Sequence, residues 1–125
     1  MERIILDTNI LIEISRNNKL ISRRVYAINP DVLYITPIIY SEFLNGSNNK
    51  DSLYKYIKFL DKFKILYTTI ETDKIFIELF KQYSLSHKPT IPDMLIAATA
   101  IHYEAKLFTL NKKDFQFIEG LQLFT

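Results

Sequence analysis

The sequence predicts an α/β fold in which helices flank a central, mainly parallel sheet of four to five strands. Short runs of aliphatic and β-branched residues alternate with longer stretches in which apolar residues recur at helical spacing, a pattern typical of strands joined by crossover helices. The length of 125 residues, 48% of them hydrophobic, fits one domain with a packed core. We therefore expect residues 1–125 to form a single domain.

The predicted strands are the short apolar runs of the chain. The first run is apolar almost throughout, as expected for a strand that is buried on both faces. The last run reads as a possible edge strand. The five runs span residues 3–6, 32–35, 65–67, 107–109 and 121–124.

Helices are predicted between the strands from apolar periodicity and from residues that start or stop a helix. Pro30 ends the second helix, because the residue before a proline is pushed away from helical angles. Thr36 caps the third helix with Pro37 at its first position, and Gly46 supplies a left-handed stop. The last helix is apolar nearly all round, so we expect it to be central and buried. The predicted helices span residues 10–14, 17–29, 37–45, 51–63, 73–85 and 92–104, and a short helical turn covers 111–115.

The scarce residue types exclude several chemistries. The chain has two glycines, Gly46 and Gly120, so it cannot build the glycine-rich loops that cradle dinucleotides or nucleoside triphosphates. The absence of cysteine excludes thiol nucleophiles, disulfides, iron–sulfur clusters and cysteine-ligated zinc. The net charge of +2 permits a polyanionic partner without requiring one. No signal-peptide pattern or membrane-length apolar run is present, so we expect a soluble, cytoplasmic protein without a membrane partner.

Acidic residues fall where the strands of the predicted sheet end. Asp7 ends the first strand, Asp93 opens the buried helix and Asp114 follows the fourth strand. In open parallel sheets, ligands collect just beyond the carboxyl ends of the strands. Each of these acids has an alternative role at a helix start: Asp7 could cap the helix after it, and Asp93 and Asp114 each stand three residues after a capping residue.

Glu42 has no capping role. On a helix starting at Pro37 it lies about 40° from Ile38, and we interpret this as a position inside the apolar arc. A carboxylate buried there costs several kcal/mol unless it is paired, protonated or bound to a metal. Four acids at one sheet edge would repel one another, whereas a bound divalent ion reverses that balance. Oxygen-only ligands suit Mg²⁺ or Mn²⁺.

The motifs around these acids resemble a known family. They are Leu6-Asp7-Thr8-Asn9, the isolated Glu42, the run Pro92-Asp93-Met94-Leu95-Ile96-Ala97-Ala98, and Thr109-Leu110-Asn111-Lys112-Lys113-Asp114. In this order and spacing they resemble the four landmarks of PIN-domain nucleases of the VapC toxin type, over essentially the whole chain. The resemblance implies a PIN-like three-layer α/β sandwich and Mg²⁺- or Mn²⁺-dependent hydrolysis of single-stranded RNA, such as tRNA or rRNA loops.

The resemblance also implies roles for individual residues. Asp7, Glu42, Asp93 and Asp114 would be the catalytic, metal-binding acids, supported by the polar groups of Thr8, Asn9, Thr109 and Asn111. Toxins of this type often carry an arginine where this chain has Leu110, so substrate binding would depend on cations such as Lys112 and Lys113. The family also implies a homodimer and a small cognate antitoxin.

Other classes of function stay open at this point. The chain could be a free-standing PIN nuclease in RNA processing, or a catalytically silent PIN-like module that binds RNA or protein. A phosphatase with an aspartyl nucleophile usually needs a second aspartate where this chain has Asn9.

Surface roles are predicted for three further groups of residues. We expect structural or solvent-facing roles for His87 and His102, since neither has a partner at metal-ligand spacing. The basic residues Arg23, Arg24, Lys55, Lys58 and Lys62 are candidates for the flank of an RNA groove. The aromatic residues Tyr26, Tyr40, Tyr54, Phe59 and Tyr83 are candidates for a partner surface.

Overall fold

The computed structural model describes residues 2–125 and contains one five-stranded sheet with every pair of neighbouring strands parallel. The strands are β1 (Ile4–Leu6), β2 (Leu33–Ile35), β3 (Lys64–Ile65), β4 (Lys106–Phe108) and β5 (Gln122–Leu123). Their order across the sheet is β3-β2-β1-β4-β5. The predicted α/β class and parallel sheet are confirmed, including the fifth strand.

Six helices connect the strands. They are α1 (Thr8–Ser15), α2 (Lys19–Tyr26), α3 (Pro37–Leu44), α4 (Lys50–Leu60), α5 (Ile70–Tyr83) and α6 (Ile91–His102). Two 3₁₀ turns, Pro30–Val32 and Lys112–Asp114, complete the regular structure. No helix among residues 2–125 has both the length and the hydropathy that crossing a membrane requires.

The central strands are buried on both faces. Ile4, Ile5 and Leu6 of β1 are at most 1% exposed, and Leu107 and Phe108 of β4 are equally covered. This burial explains why both strands are apolar without alternation, as in sheets that carry helices on each face. α6 is the most buried helix, with Met94 and residues 96–100 in the core. The prediction of a central, apolar helix is thus confirmed.

Capping residues set the helix starts: α3 begins at the predicted residue, and the other helices begin one to three residues from their predicted starts. Thr36 caps α3 as predicted, its hydroxyl accepting from the Ile39 N–H at 3.3 Å. α5 begins at Ile70 rather than at residue 73, because Thr69 and Thr72 cap each other reciprocally. α4 begins at Lys50 for the same reason, with Asn49 and Ser52 as the reciprocal pair.

The six helices end one to three residues from their predicted ends, and two of the predicted end signals were wrong for a clear reason. Gly46 does not supply a left-handed stop, since the glycine with positive φ is Gly120, at 88°. α6 stops at His102 rather than at Glu104, because Glu104 itself adopts a left-handed φ of 55°. The N–H of Ala105 then donates to the Ala100 carbonyl at 2.8 Å, which closes the helix in the manner usually associated with glycine.

The sheet order determines where the functional groups meet. β1 lies between β2 and β4, so the residues that follow β1, β2 and β4 emerge side by side at the carboxyl edge of the sheet. Asp7 follows β1 and Thr109 follows β4, and the Asp7 N–H donates to the Phe108 carbonyl at 2.9 Å. The backbone ladder therefore extends right up to the first candidate site residue.

Candidate functional site

Asp7 is the centre of a hydrogen-bonded network at the carboxyl edge of the sheet. Its residue exposure is 5%, and it is the N-cap of α1, with Oδ1 accepting from the Thr8 N–H at 2.8 Å. Oδ2 accepts from the Thr109 hydroxyl at 2.8 Å and from the Asn9 side-chain amide at 3.3 Å. Oδ1 thus caps the helix, while Oδ2 accepts hydrogen bonds from two side chains. Helix capping alone therefore does not explain why an aspartate stands at this position.

Thr109 joins the end of β4 to the start of α1. Its hydroxyl oxygen accepts from the Asn111 N–H at 3.0 Å and from the Asn9 amide at 3.3 Å, which leaves its proton to donate to Asp7. The Asn9 Oδ1 in turn accepts from the Leu110 N–H at 3.0 Å. The predicted supporting roles of Asn9 and Thr109 thus have a geometric basis, whereas Asn111 takes part through its backbone N–H.

Glu42 lies at this edge, but the prediction that it is buried was wrong. The buried residues of α3 are Ile39 and Phe43, whose mean direction is about 80° from Glu42 around the helix, so Glu42 borders the core and is exposed. The apolar arc was centred too near Ile38, which is only partly buried. Glu42 Oε1 accepts from the Thr8 hydroxyl at 2.8 Å, and this bond links α3 to the start of α1.

Asp93 is partly buried in the first turn of α6. The Thr90 hydroxyl caps the helix by accepting from the Asp93 N–H at 3.2 Å, but the reciprocal bond of a full capping box does not form. Burial raises the pKa of the Asp93 carboxyl to about 6, and the negative charges of Asp7, Asp114 and Glu42 add to that rise while the Thr90 hydroxyl opposes it. Three of the four predicted acids therefore act electrostatically on the fourth.

Asp114 is exposed in the second 3₁₀ turn. The Asn111 side chain does not cap this turn, so the capping interpretation of Asp114 has no support in the structure. Its charge contributes to raising the pKa of Asp7, although burial is the largest cause and the hydrogen bond from Thr109 opposes it.

None of the four acids is compensated by a basic side chain within residues 2–125, since the ion pairs of this part of the chain involve Glu2, Glu13, Glu71 and Glu78. An all-oxygen set of repelling carboxylates is the donor chemistry that Mg²⁺ and Mn²⁺ prefer. As placed, no three acidic or histidine side chains in the described chain are close enough together to enclose an ion. The fit to a hard divalent ion therefore rests on the chemistry of the four carboxylates, and not on a coordination geometry already formed.

A cleft of about 140 Å³ opens beside Asp93 and Asp114. Lys113, one of the two predicted RNA-binding lysines, lines it, whereas Lys112 lines the neighbouring depression with Leu110. The cleft is also lined by residues of the loop between α5 and α6 and by one aromatic residue after the second 3₁₀ turn: His87, Lys88, Pro89, Thr90 and Phe117. Spacing along the sequence does not indicate that this loop approaches Asp114. His87 is exposed, in agreement with its predicted structural or solvent-facing role, and it also lines the cleft.

Two residues predicted at functional surfaces are engaged elsewhere. Arg24 donates to the Thr125 carbonyl at 3.0 Å and packs over the Phe108 ring, so it is not a free cation for RNA. Tyr83 is 7% exposed and its hydroxyl accepts from the Glu119 N–H at 3.0 Å, so it is not part of a partner surface.

The remaining surface residues lie as follows. Tyr26 and Tyr54 are 73% and 63% exposed, whereas Tyr40 and Phe59 are half-buried. The basic side chains Arg23, Lys55, Lys58 and Lys62 are exposed on α2, on α4 and just after α4, and His102 is half-buried at the end of α6.

The fold and the acidic edge together define a class of protein. The sequence profile of the PIN domain matches residues 4–120, and the chain belongs to the PIN domain family. This confirms the resemblance seen in the sequence motifs.

Within that family the chain is similar to proteins of the VapC type. It is 35% identical over 135 residues to Ribonuclease VapC1 of Rickettsia felis, an alignment that covers 98% of this chain and 95% of that protein. Its structure superposes on VapBC-1 from nontypeable Haemophilus influenzae with a TM-score of 0.82 at 29% identity, covering 97% and 96% of the two chains. A toxin–antitoxin complex from Klebsiella pneumoniae matches with a TM-score of 0.79 at 26% identity, covering 94% and 93%.

Proposed function

We propose that this chain is a divalent-metal-dependent endoribonuclease that cleaves single-stranded RNA and serves as the toxin of a toxin–antitoxin pair. One observation carries the proposal: four acids meet at the same sheet edge, where burial first, and then repulsion by the other three carboxylates, raise the pKa of Asp93 to about 6. A folded protein keeps such an arrangement at a cost in stability, and a bound cation reverses that cost. The VapC ribonucleases similar to this chain support RNA as the substrate.

The four acids divide into a fixed group and a movable group. Asp7 is locked by three hydrogen bonds, so it would hold Mg²⁺ or Mn²⁺ in a constant position. Asp93 is positioned by its place in the first turn of α6, whereas Glu42 and Asp114 are exposed and would complete the ligand set by rotating. The bound ion supplies a water of lowered pKa and stabilises negative charge on the phosphate and on the leaving oxygen.

The other residues of the site orient these ligands and the substrate. The hydroxyls of Thr8 and Thr109 donate to Glu42 and Asp7, so each directs the remaining lone pairs of its carboxylate. Lys113 lies in the cleft beside Asp93 and Asp114, where its ammonium group would bind RNA phosphate. Lys112 would contact the same backbone from the adjoining depression.

The decisive experiment compares RNA cleavage by purified wild type with two isosteric variants, Asp7→Asn and Asp93→Asn. Wild type is expected to cleave single-stranded RNA in Mg²⁺ or Mn²⁺ and to lose activity in excess chelator, while both variants lose at least a hundredfold. Asp51→Asn is the matched control, since Asp51 is an exposed acid in the first turn of α4. Equal cleavage by all four proteins would contradict the proposal and indicate a contaminating nuclease.

The toxin assignment requires a protein partner and a surface for it. An apolar groove of about 220 Å³ lies between α2 and α4, lined by residues that include Val25, Tyr26, Phe59 and Phe63. We infer that the antitoxin places an apolar segment there, as in helix-in-groove recognition. If a small protein is encoded beside this chain, its co-expression is expected to relieve toxicity in wild type, and Tyr26→Ser is expected to weaken the complex without reducing cleavage. Stable expression of active wild type without toxicity would favour a free-standing nuclease.

A further inference from the structure

His87 and Phe117 form a flat aromatic stack at the mouth of the acidic cleft. Their ring centroids are 3.9 Å apart and their planes differ by 9°, which is a face-to-face arrangement. Both residues line the cleft that contains Asp93 and Asp114. Phe117 is half-buried and His87 is exposed, so the outer face of the imidazole is open to solvent.

The imidazole is held in place although it is exposed. Its Nδ1 lies 2.7 Å from the Ser86 hydroxyl, and its backbone N–H donates to the Tyr83 carbonyl at 2.9 Å. The buried Tyr83 ring packs edge-on against both rings of the stack, with centroid distances of 5.7 Å to His87 and 5.1 Å to Phe117. A ring fixed in this way loses little conformational entropy when a second planar group stacks on it.

The backbone after His87 also deviates from ordinary geometry. Lys88 has a φ of 45°, in the left-handed region that non-glycine residues rarely occupy, and Pro89 follows it. Such a conformation carries strain and persists where the surrounding structure imposes it. Here it accompanies a turn that brings both the imidazole and the Lys88 side chain to the cleft.

We propose that the His87–Phe117 stack is a platform on which one nucleobase of the RNA substrate stacks, next to the phosphate that is cleaved; this inference rests on the proposed ribonuclease function. Bases of single-stranded RNA are unstacked, and every base offers an aromatic face to a flat ring. Lys88 and Lys113 line the same cleft and supply cations for the phosphates on either side of that base. The platform therefore selects single strands over duplexes and tolerates different bases.

The test compares His87→Ala with His87→Phe, which keeps a flat ring and removes the imidazole nitrogens. His87→Ala is expected to raise KM for a single-stranded RNA about tenfold with kcat within about twofold, while His87→Phe stays near wild type. Tyr67→Ala is the control, since Tyr67 is an exposed aromatic residue that does not line the cleft. An unchanged KM in His87→Ala would overturn the platform, and so would an equal defect in both variants, because an imidazole contact and not stacking would then matter.

A binding measurement separates this inference from the proposed function. RNA oligonucleotides carrying the fluorescent base 2-aminopurine are titrated with metal-free protein, and stacking on the platform is expected to quench their fluorescence. His87→Ala is expected to lose the quenching and His87→Phe to retain it. If wild type quenches without cleaving RNA, the proposed function fails while the platform stands. If wild type cleaves RNA but the quenching is the same in His87→Ala, the platform alone is wrong.

Discussion

Thr109 donates its hydroxyl proton to Asp7 Oδ2 at 2.8 Å, and this bond joins the ends of two adjacent parallel strands. The direction of the bond is fixed, because the same hydroxyl oxygen already accepts from the Asn111 N–H and from the Asn9 side-chain amide, and only its proton is left for Asp7. Asp7 therefore receives a donor that favours its charged form against the burial that raises its pKa. The pair holds the Asp7 carboxyl in a buried position at the carboxyl edge of the sheet, where the proposed metal would bind.

Removing that hydroxyl is expected to affect stability and activity together. Thr109→Val keeps the side-chain shape but leaves Asp7 and the Asn111 N–H each short of a partner, which costs about 1–3 kcal/mol of unfolding free energy. Urea unfolding without metal measures this loss. Thr99→Val is the matched control, because the Thr99 hydroxyl is also buried but only supplements a helical carbonyl, that of Leu95. An equal loss of unfolding free energy in the two variants would show that the Asp7–Thr109 hydrogen bond contributes no more than an ordinary buried threonine hydroxyl.

The raised pKa of Asp93 predicts that its charged carboxylate destabilises the folded protein when no metal is bound. Burial raises the pKa of the Asp93 carboxyl from its ordinary value of 3.8 to about 6 in the folded protein, so the folded state binds the proton more tightly. The protonated carboxyl avoids the cost of burying a negative charge beside other acids. The protein therefore loses stability as the pH rises from about 4 to 6 and Asp93 ionises. Asp93→Asn is therefore expected to stabilise the metal-free protein by roughly 1–2 kcal/mol at pH 7, a range reduced for partial solvent screening, and by much less at pH 4.

Thermal unfolding across pH 4–8 in chelator measures this difference. Asp51→Asn is the control, since Asp51 is an exposed acid in the first turn of α4. Its negative charge interacts favourably with the helix dipole, so its removal is expected to be neutral or slightly destabilising. A constant difference between Asp93→Asn and wild type over the whole pH range would contradict the prediction. Adding Mg²⁺ or Mn²⁺ is expected to stabilise wild type and to narrow the gap, because the ion binds only the folded ligand set.

The Thr8 hydroxyl is expected to matter more for activity than for stability, since its hydrogen bond to Glu42 is exposed to solvent. Thr8→Val is expected to change the unfolding free energy by less than about 1 kcal/mol but to lower kcat about tenfold, because the bond orients a proposed metal ligand. Steady-state cleavage of RNA in Mn²⁺ measures the effect. Ser15→Ala, which removes an exposed hydroxyl from the other end of α1, is expected to leave kcat unchanged. A Thr8→Val enzyme with full activity would mean that Glu42 needs no orientation.

Much of the fold and of the acidic edge could be predicted because the controlling signals are local. The apolar runs give the strands, Thr36 and Pro37 give the start of α3, and parallel topology brings residues that follow neighbouring strands to one edge. Asp7 and Asp93 therefore follow from sequence position. The exposure of Glu42 does not, because a helical projection gives angles and cannot tell which direction faces the core.

The remaining differences between the sequence-based prediction and the structure arise from long-range packing or from residues that are unusual at their positions. The reciprocal caps of α4 and α5 use serine and threonine at the third position, where glutamate or glutamine is the recognised signal. His87 stacks on Phe117 and lines the same cleft as Asp114 because residues 86–90 lie beside the second 3₁₀ turn, and no periodicity in the sequence predicts that proximity. The end of α6 has no glycine to mark it.

The end of α6 yields a prediction about stability alone. Glu104 has a φ of 55° and is exposed, and its N–H donates to the Ile101 carbonyl at 3.2 Å in the turn that closes the helix. A left-handed residue with a Cβ carries about 1–2 kcal/mol of strain, which glycine avoids at some cost in chain entropy. Glu104→Gly is therefore expected to raise the unfolding free energy by about 0.5–1 kcal/mol.

The same substitution elsewhere should have the opposite sign. Glu78 is exposed in the middle of α5, where a change to glycine is expected to cost about 1 kcal/mol. Urea unfolding of the two variants beside wild type makes the comparison, and RNA cleavage is expected to be unchanged in both because neither residue contacts the acidic edge. If Glu104→Gly destabilises the protein as Glu78→Gly does, the left-handed turn is not strained and the end of α6 is held by packing of its neighbours instead.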